Sequence, residues 1–183
     1  MDLRRPSRYF LRCLLSSLLL SVSGVAAANA APYSEYEVKA AFLYNFTKFV
    51  EWPATASPSL TLCVLNQDPF GPALDRLEGK SSANGPLQVK RIHGAGEAGG
   101  CRLVFIAAEN SIVAGISLTA LDDSPILTIG DVAGFADRGG MIGLYLEDGK
   151  IVFDINLAAA RAAGITISSR VLHLARRVYG MTP

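Results

Sequence analysis

The side chains of this chain that could do chemistry are few and scattered. The segment 130–140 reads Gly-Asp-Val-Ala-Gly-Phe-Ala-Asp-Arg-Gly-Gly and follows a predicted strand. In an α/β sheet, loops beyond strand ends are favoured binding places. The Arg138 guanidinium can fork onto a carboxylate or phosphate. Its plainer role is a salt bridge to Asp131 or Asp137, and Phe135 is placed for exposure. Further on, Asn156, Ser168, Ser169 and Arg170 could join Arg138 around an anionic ligand. Asn156 and the two serines are more simply helix N-caps, because their oxygens accept from the free N–H groups of a first turn.

Acid–base and nucleophilic chemistry finds little support. Only His93 and His173 are present, 80 residues apart. A general base needs a partner within hydrogen-bond reach, and none is suggested by spacing. No H-E-x-x-H, G-x-S-x-G or P-loop occurs. The pairs Asp122-Asp123 and Glu147-Asp148 fall at predicted turns, and a calcium loop would need more oxygen ligands at regular spacing. The glycines at 94, 96, 99 and 100 open no convincing helix after a strand, so a dinucleotide fingerprint is not supported. These readings point away from an enzyme and imply no cofactor and no metal.

Cysteine chemistry depends on compartment, and the N-terminus speaks to that. Arg4, Arg5, Arg8 and Arg12 precede an uncharged stretch of Leu, Ser, Val, Gly and Ala, which ends in Ala28-Asn29-Ala30. A basic opening, a short apolar core and an A-x-A exit describe a cleaved secretory signal peptide over residues 1–30. The second half of the stretch is too weakly apolar for a stable membrane anchor. Cys13 leaves with this segment. Cys63 and Cys101 remain, an even number in an exported chain, so a disulfide is expected. Two thiols alone make no metal site, and their spacing is unlike C-x-x-C.

Charge excludes one more class. The chain has 17 basic and 16 acidic residues. The first 30 residues hold four Arg and one Asp, which leaves 13 basic and 15 acidic residues, a net of −2. That is no footprint for nucleic acid. Residues 31–183 suffice for one domain with a real core.

Periodicity supplies the elements that must position these groups. Ser34 and Glu37 form a capping box ahead of an apolar run, predicting a helix over 35–51. That helix is so apolar that it must lie deep in the core or at a subunit interface. Strands are expected at 60–65, 87–92, 103–107 and 126–129, with helices at 68–77 and 111–120 between them. The 81–86 stretch reads as loop and 94–100 as a glycine-rich connection. Strands at 141–146 and 150–155 flank an Asp148-Gly149 hairpin turn. Asn156 and Gly164 bound a helix at 157–163. A last helix is expected over 170–179, with Val171, Leu174, Ala175 and Val178 as its buried stripe. The order predicts a single layered α/β domain, a mostly parallel or mixed sheet flanked by helices, closed by a β-hairpin and two helices.

Two blocks carry a resemblance. YSEYEVKAAFLYNFTKFVEWP at 33–53 is the first. GGMIG at 139–143, IVFDIN at 151–156, Ala159-Ala160 and ISSRVL at 167–172 form the second. Together they closely resemble the YfiR family of periplasmic proteins. The resemblance implies a periplasmic regulator, usually a homodimer, that binds and represses the periplasmic part of an inner-membrane diguanylate cyclase and so controls cyclic-di-GMP and biofilm formation. It also implies that Cys63 and Cys101 form the main family disulfide. A further cysteine pair found in some members near the glycine-rich segment is missing here. The alternative expectation is a small-molecule-binding sensor serving another membrane signalling protein.

Overall fold

The computed structural model describes residues 33–54, 59–82, 84–107, 111–121 and 124–181. The segment read as a signal peptide and the Asp122-Asp123 pair lie outside the described residues.

The chain opens on α1 (Glu35–Phe49). Its capping box is complete. Ser34 Oγ accepts from the Glu37 N–H at 3.3 Å, and Glu37 Oε2 accepts from the Ser34 N–H at 2.9 Å. The helix stops two residues before its expected end, because Val50–Glu51 turns extended as β1 and pairs with β10 (Thr166–Ile167). Next come β2 (Thr61–Leu65), α2 (Pro72–Asp75), and a small ribbon of β3 (Ser81–Ser82) and β4 (Gly85–Pro86). β5 (Gln88–Ile92), a 3-10 helix (Ala95–Gly100), β6 (Leu103–Ile106), α3 (Ser111–Thr119) and β7 (Leu127–Gly130) follow. The chain closes with β8 (Ile142–Glu147), β9 (Lys150–Asn156), α4 (Leu157–Ala162), β10, α5 (Ser169–Leu172) and β11 (Arg177–Tyr179).

Seven strands form one mixed sheet in the order β5-β2-β6-β7-β8-β9-β11. β5 to β8 run parallel, β9 returns antiparallel to β8, and β11 runs parallel to β9. Side chains alternate across a strand, so the continuous apolar strands supply two cores. Leu62, Val64, Leu103, Phe105, Leu127 and Ile129 pack with Leu43 and Phe46 of α1. Cys63, Leu65, Val104 and Ile106 pack on the other face with Ala98, Ala114, Leu118 and Phe135. The apolar content of α1 is thus largely spent on the sheet: Phe42 and Phe46 both meet Phe153 edge-on or nearly so.

The hairpin turn forms as read. Asp148 (φ 50°) and Gly149 (φ 73°) are both left-handed, as a two-residue turn of this kind requires. Asn156 caps α4 by accepting from the Ala159 N–H at 2.9 Å.

Three expectations are corrected. The helix over 170–179 ends at Leu172, and the chain becomes β11 instead. The Arg176 N–H donates to the Phe153 carbonyl at 2.8 Å, which turns the backbone onto β9 and leaves Leu174 75% exposed. The helix over 68–77 shrinks to α2, because Asp68 accepts from the Phe70 N–H at 2.7 Å in a turn and Gly71 takes φ 50° before Pro72 starts the helix. Phe135, expected at the surface, is 1% exposed and seated in the second core.

Candidate functional site

A cleft of about 810 Å³ opens where β7 and β8 reach their carboxyl ends, roofed by the first turns of α1. Parallel strands of an open α/β sheet leave such a crevice beyond their carboxyl ends. Asp131 enters it directly after β7. Tyr145 and Glu147 enter from β8, Glu35, Tyr36 and Lys39 from α1, and Arg176 from the turn before β11.

One wall is built on Asp131. Its Oδ2 accepts from Lys39 Nζ at 2.7 Å and from the Tyr36 hydroxyl at 3.0 Å. Lys39 Nζ also meets Glu35 Oε1 at 2.5 Å, one helical turn back. Lys39 is only 2% exposed, and its two carboxylate partners offset the cost of burying a charged side chain. Burial, and then the charge of Asp131, push the Tyr36 hydroxyl up to about 12. The Tyr36 ring continues inward through Phe70 (5.3 Å) to Phe105 (4.7 Å) in the main core.

The opposite wall is built on Arg176. Its guanidinium grips buried Asp154 through both carboxylate oxygens, at 2.9 and 2.7 Å, and reaches Glu147 Oε2 at 2.7 Å. Hydrogen bonds to Asp154 and Glu147 hold its pKa above the ordinary arginine range. The guanidinium carbon lies 5.0 Å from the centre of the Tyr145 ring. Tyr145 Oη is enclosed beside the Phe135 and Ala136 amides without a well-formed hydrogen bond, and burial raises its pKa. The floor is the turn from Val132 to Gly134.

The residues singled out from sequence do not converge. Arg138 forms no salt bridge to Asp131, which is committed to Lys39 and Tyr36; its Nη2 donates to the Ala133 carbonyl and closes its own loop. Asn156 Nδ2 donates to the Ala136 carbonyl at 2.9 Å while Oδ1 caps α4, so this side chain ties the glycine-rich loop to the helix. Ser168 caps α5 by accepting from the Arg170 N–H at 3.3 Å. Ser169 is the first residue of α5. Ser168 and Arg170 share a groove of about 300 Å³ with Lys48, Phe49, Glu51 and Thr166, at a different place from the cleft.

Cys63 and Cys101 form a disulfide with Cα atoms 5.9 Å apart. It joins the middle of β2 to the end of the 3-10 helix within the second core. Among the described residues, no three His, Cys, Asp or Glu side chains come together as a metal site. No helix among them is long and apolar enough to cross a membrane.

The cleft residues Lys39, Arg176 and Asp154 escaped the sequence reading. One signal was present: Lys39 is a cation between Val38 and Ala40 in an otherwise apolar stretch. Nothing local marks its partner 92 residues away.

The family described as YfiR/HmsC-like matches residues 36–176. No curated protein matches the chain. Among solved structures, a conserved domain protein from Vibrio cholerae O1 biovar El Tor aligns at 12% identity with a TM-score of 0.50, over 79% of this chain and 60% of that one. The ABC domain in complex with L-Trp from Streptococcus pneumonia aligns at 14% identity with a TM-score of 0.47, over 65% and 55%. The chain thus spans between half and two thirds of the length of these structures, and the likeness to the Vibrio protein concerns the fold alone.

Proposed function

The chain belongs to the YfiR/HmsC-like family, and from that membership we propose that it is an exported periplasmic regulator that binds an inner-membrane diguanylate cyclase and holds it inactive. The match across nearly the whole described unit carries this reading. The Cys63–Cys101 disulfide supports it, since such bonds persist in oxidising compartments. The proposal includes removal of residues 1–30 on export and action as a homodimer. Repression works by differential affinity: the regulator binds the inactive cyclase conformation more tightly than the active one and shifts its population.

Cellular cyclic-di-GMP with the gene deleted and then restored tests the reading. A rise on deletion, reversed by the exported protein but not by a version lacking residues 2–30, is the expected result. An unchanged level on deletion overturns it.

The groove holding Ser168 and Arg170 beside Lys48 favours a second reading, a sensor for a small anionic ligand. A metabolite that raises the melting temperature of the wild type but not of Arg170→Ala supports this reading. Identical shifts in both remove the groove from consideration.

A further inference from the structure

Both cations of the cleft, Lys39 and Arg176, are held by carboxylates. At the other end of α1 they are not. Lys48, Lys80 and Arg170 are exposed, and among the described residues none of the three forms an ion pair. The three are contiguous. Lys48 Nζ lies 4.1 Å and Lys80 Nζ 5.3 Å from the centre of the same Tyr44 ring. That ring is pinned, since its hydroxyl donates to the Ser81 carbonyl at 2.7 Å. Lys48 and Arg170 line one groove. Glu51 lines it too and pairs with neither, so the strip sets three positive charges against one negative. Tyr33, 82% exposed, shares a second groove with Tyr44 and Lys80. Removal of residues 1–30, part of the proposed function, would add an α-ammonium two residues before Tyr33.

We infer that this strip, from Lys80 across Tyr44 and Lys48 to Arg170, docks the protein on the anionic phospholipid headgroups of the membrane that carries its partner. Charge complementarity calls for an anion, because the three cations have no carboxylate of their own. Their spread selects the kind of anion. They are strung along two grooves and do not converge on one point, which suits a surface of many headgroups better than a single carboxylate. Tyr44 and Tyr33 stand among the lysines, and amphipathic tyrosine rings favour the headgroup level of a bilayer. Lysine and arginine near an anionic leaflet are attracted to it over about a Debye length. The inference rests on the proposed function, which sets the protein beside an inner membrane. Contact with lipid would raise its effective concentration near a partner confined to that membrane.

The test floats the exported protein with vesicles of phosphatidylethanolamine and phosphatidylglycerol, and with vesicles of phosphatidylcholine alone. Binding to the first and not to the second is expected, with release as salt is raised. Lys48→Gln, Lys80→Gln and Arg170→Gln break no ion pair, so the fold is retained. Each is expected to weaken binding about fivefold, and the triple variant at least about tenfold. Lys150→Gln, an exposed cation at the start of β9, is the control and should bind as wild type does. Spin-labelled anionic lipid should broaden the amides of Tyr44, Lys48, Lys80 and Arg170 before those of Val132 and Gly134 in the cleft. Equal binding to phosphatidylcholine, undiminished binding by the triple variant, an equal loss in the control, or broadening centred on the cleft overturns the inference. So does an equal response of the Lys48 and Arg170 amides to free glycerol phosphate, which assigns the groove to a soluble anion. A response to a hexaglutamate peptide without vesicle binding also overturns it and assigns the strip to an acidic segment of the partner. Gene deletion separates this inference from the regulatory reading. If deletion raises cyclic-di-GMP and the wild type ignores anionic vesicles, the membrane surface is wrong while the regulatory function stands. If the vesicles are bound as expected and deletion changes nothing, the regulatory function falls while the strip stands as a membrane contact.

Discussion

Lys39 Nζ lies 2.7 Å from Asp131 Oδ2 and joins the first helix to the end of β7 across 92 residues of chain. A buried pair of this kind adds little over an apolar replacement, yet losing one member strands the other charge. Lys39→Met is therefore expected to cost about 3 kcal/mol. The double variant Lys39→Met, Asp131→Asn should cost less than the two single changes added together, by about 1 kcal/mol or more. Urea unfolding of the four proteins measures the coupling. Strict additivity means that the pair is not a unit.

Tyr36 donates to the same carboxylate, and its hydroxyl is held at about 12, above the ordinary value of 10. The folded state thus keeps a proton that the unfolded state releases first. Its contribution is complete below pH 10 and is lost as pH rises toward 12. Tyr36→Phe should remove that part of the alkaline loss of stability. An unchanged alkaline slope between wild type and Tyr36→Phe would contradict the buried hydrogen bond.

Phe135 is held between two glycines. A Cβ at Gly130 or at Gly140 would fall on its ring. Gly140→Ala is expected to destabilise by about 1–3 kcal/mol through overpacking, and Phe135→Ala by about 3–5 kcal/mol through the cavity left. In the double variant the added methyl occupies emptied space, so the cost should fall below the sum. Thermal melts of the set decide it.

What the sequence disclosed follows from the range of each interaction. The capping box at Ser34 and Glu37, the Asp148-Gly149 turn and the apolar strands are local patterns, and they stand in the fold as read. The end of the chain went the other way. Leu174, Ala175 and Val178 keep helical spacing, but a bidentate Arg176–Asp154 bond and a backbone bond to Phe153 outweigh that preference and draw the segment into the sheet. Phe135 misled for a similar reason: a glycine-rich setting suggests an open loop, whereas here the glycines make room for the ring. The cleft was illegible because its pairs, Lys39–Asp131 and Arg176–Asp154, close over 92 and 22 residues. The disulfide was legible because, with Cys13 assigned to the expected signal peptide, Cys63 and Cys101 have only one possible pairing.

That disulfide closes a separation of 38 residues between two cysteines buried in the second core. Loop closure of this length is worth about 4 kcal/mol in the chain-entropy account. Cys63→Ser with Cys101→Ser should lower the melting temperature and the yield of exported protein. Wild type in reductant should melt near the double variant. Equal melting of oxidised wild type and the double variant would show that the bond does not support the fold.

Asn156 uses both ends of its amide, Oδ1 on the Ala159 N–H and Nδ2 on the Ala136 carbonyl, both at 2.9 Å. A ligand-binding asparagine would have an end to spare. Asn156→Ala should cost about 2 kcal/mol, roughly one for the cap and one for the lost bond to the loop. Asn156→Asp keeps the acceptor for the cap but sets an oxygen against the Ala136 carbonyl, so it should not recover the wild-type stability. Hydrogen exchange locates the effect: faster exchange is expected at Ala159 and across the 132–140 loop in Asn156→Ala, and across the loop alone in Asn156→Asp. A variant that unfolds like wild type while losing partner or ligand binding would return Asn156 to a binding role.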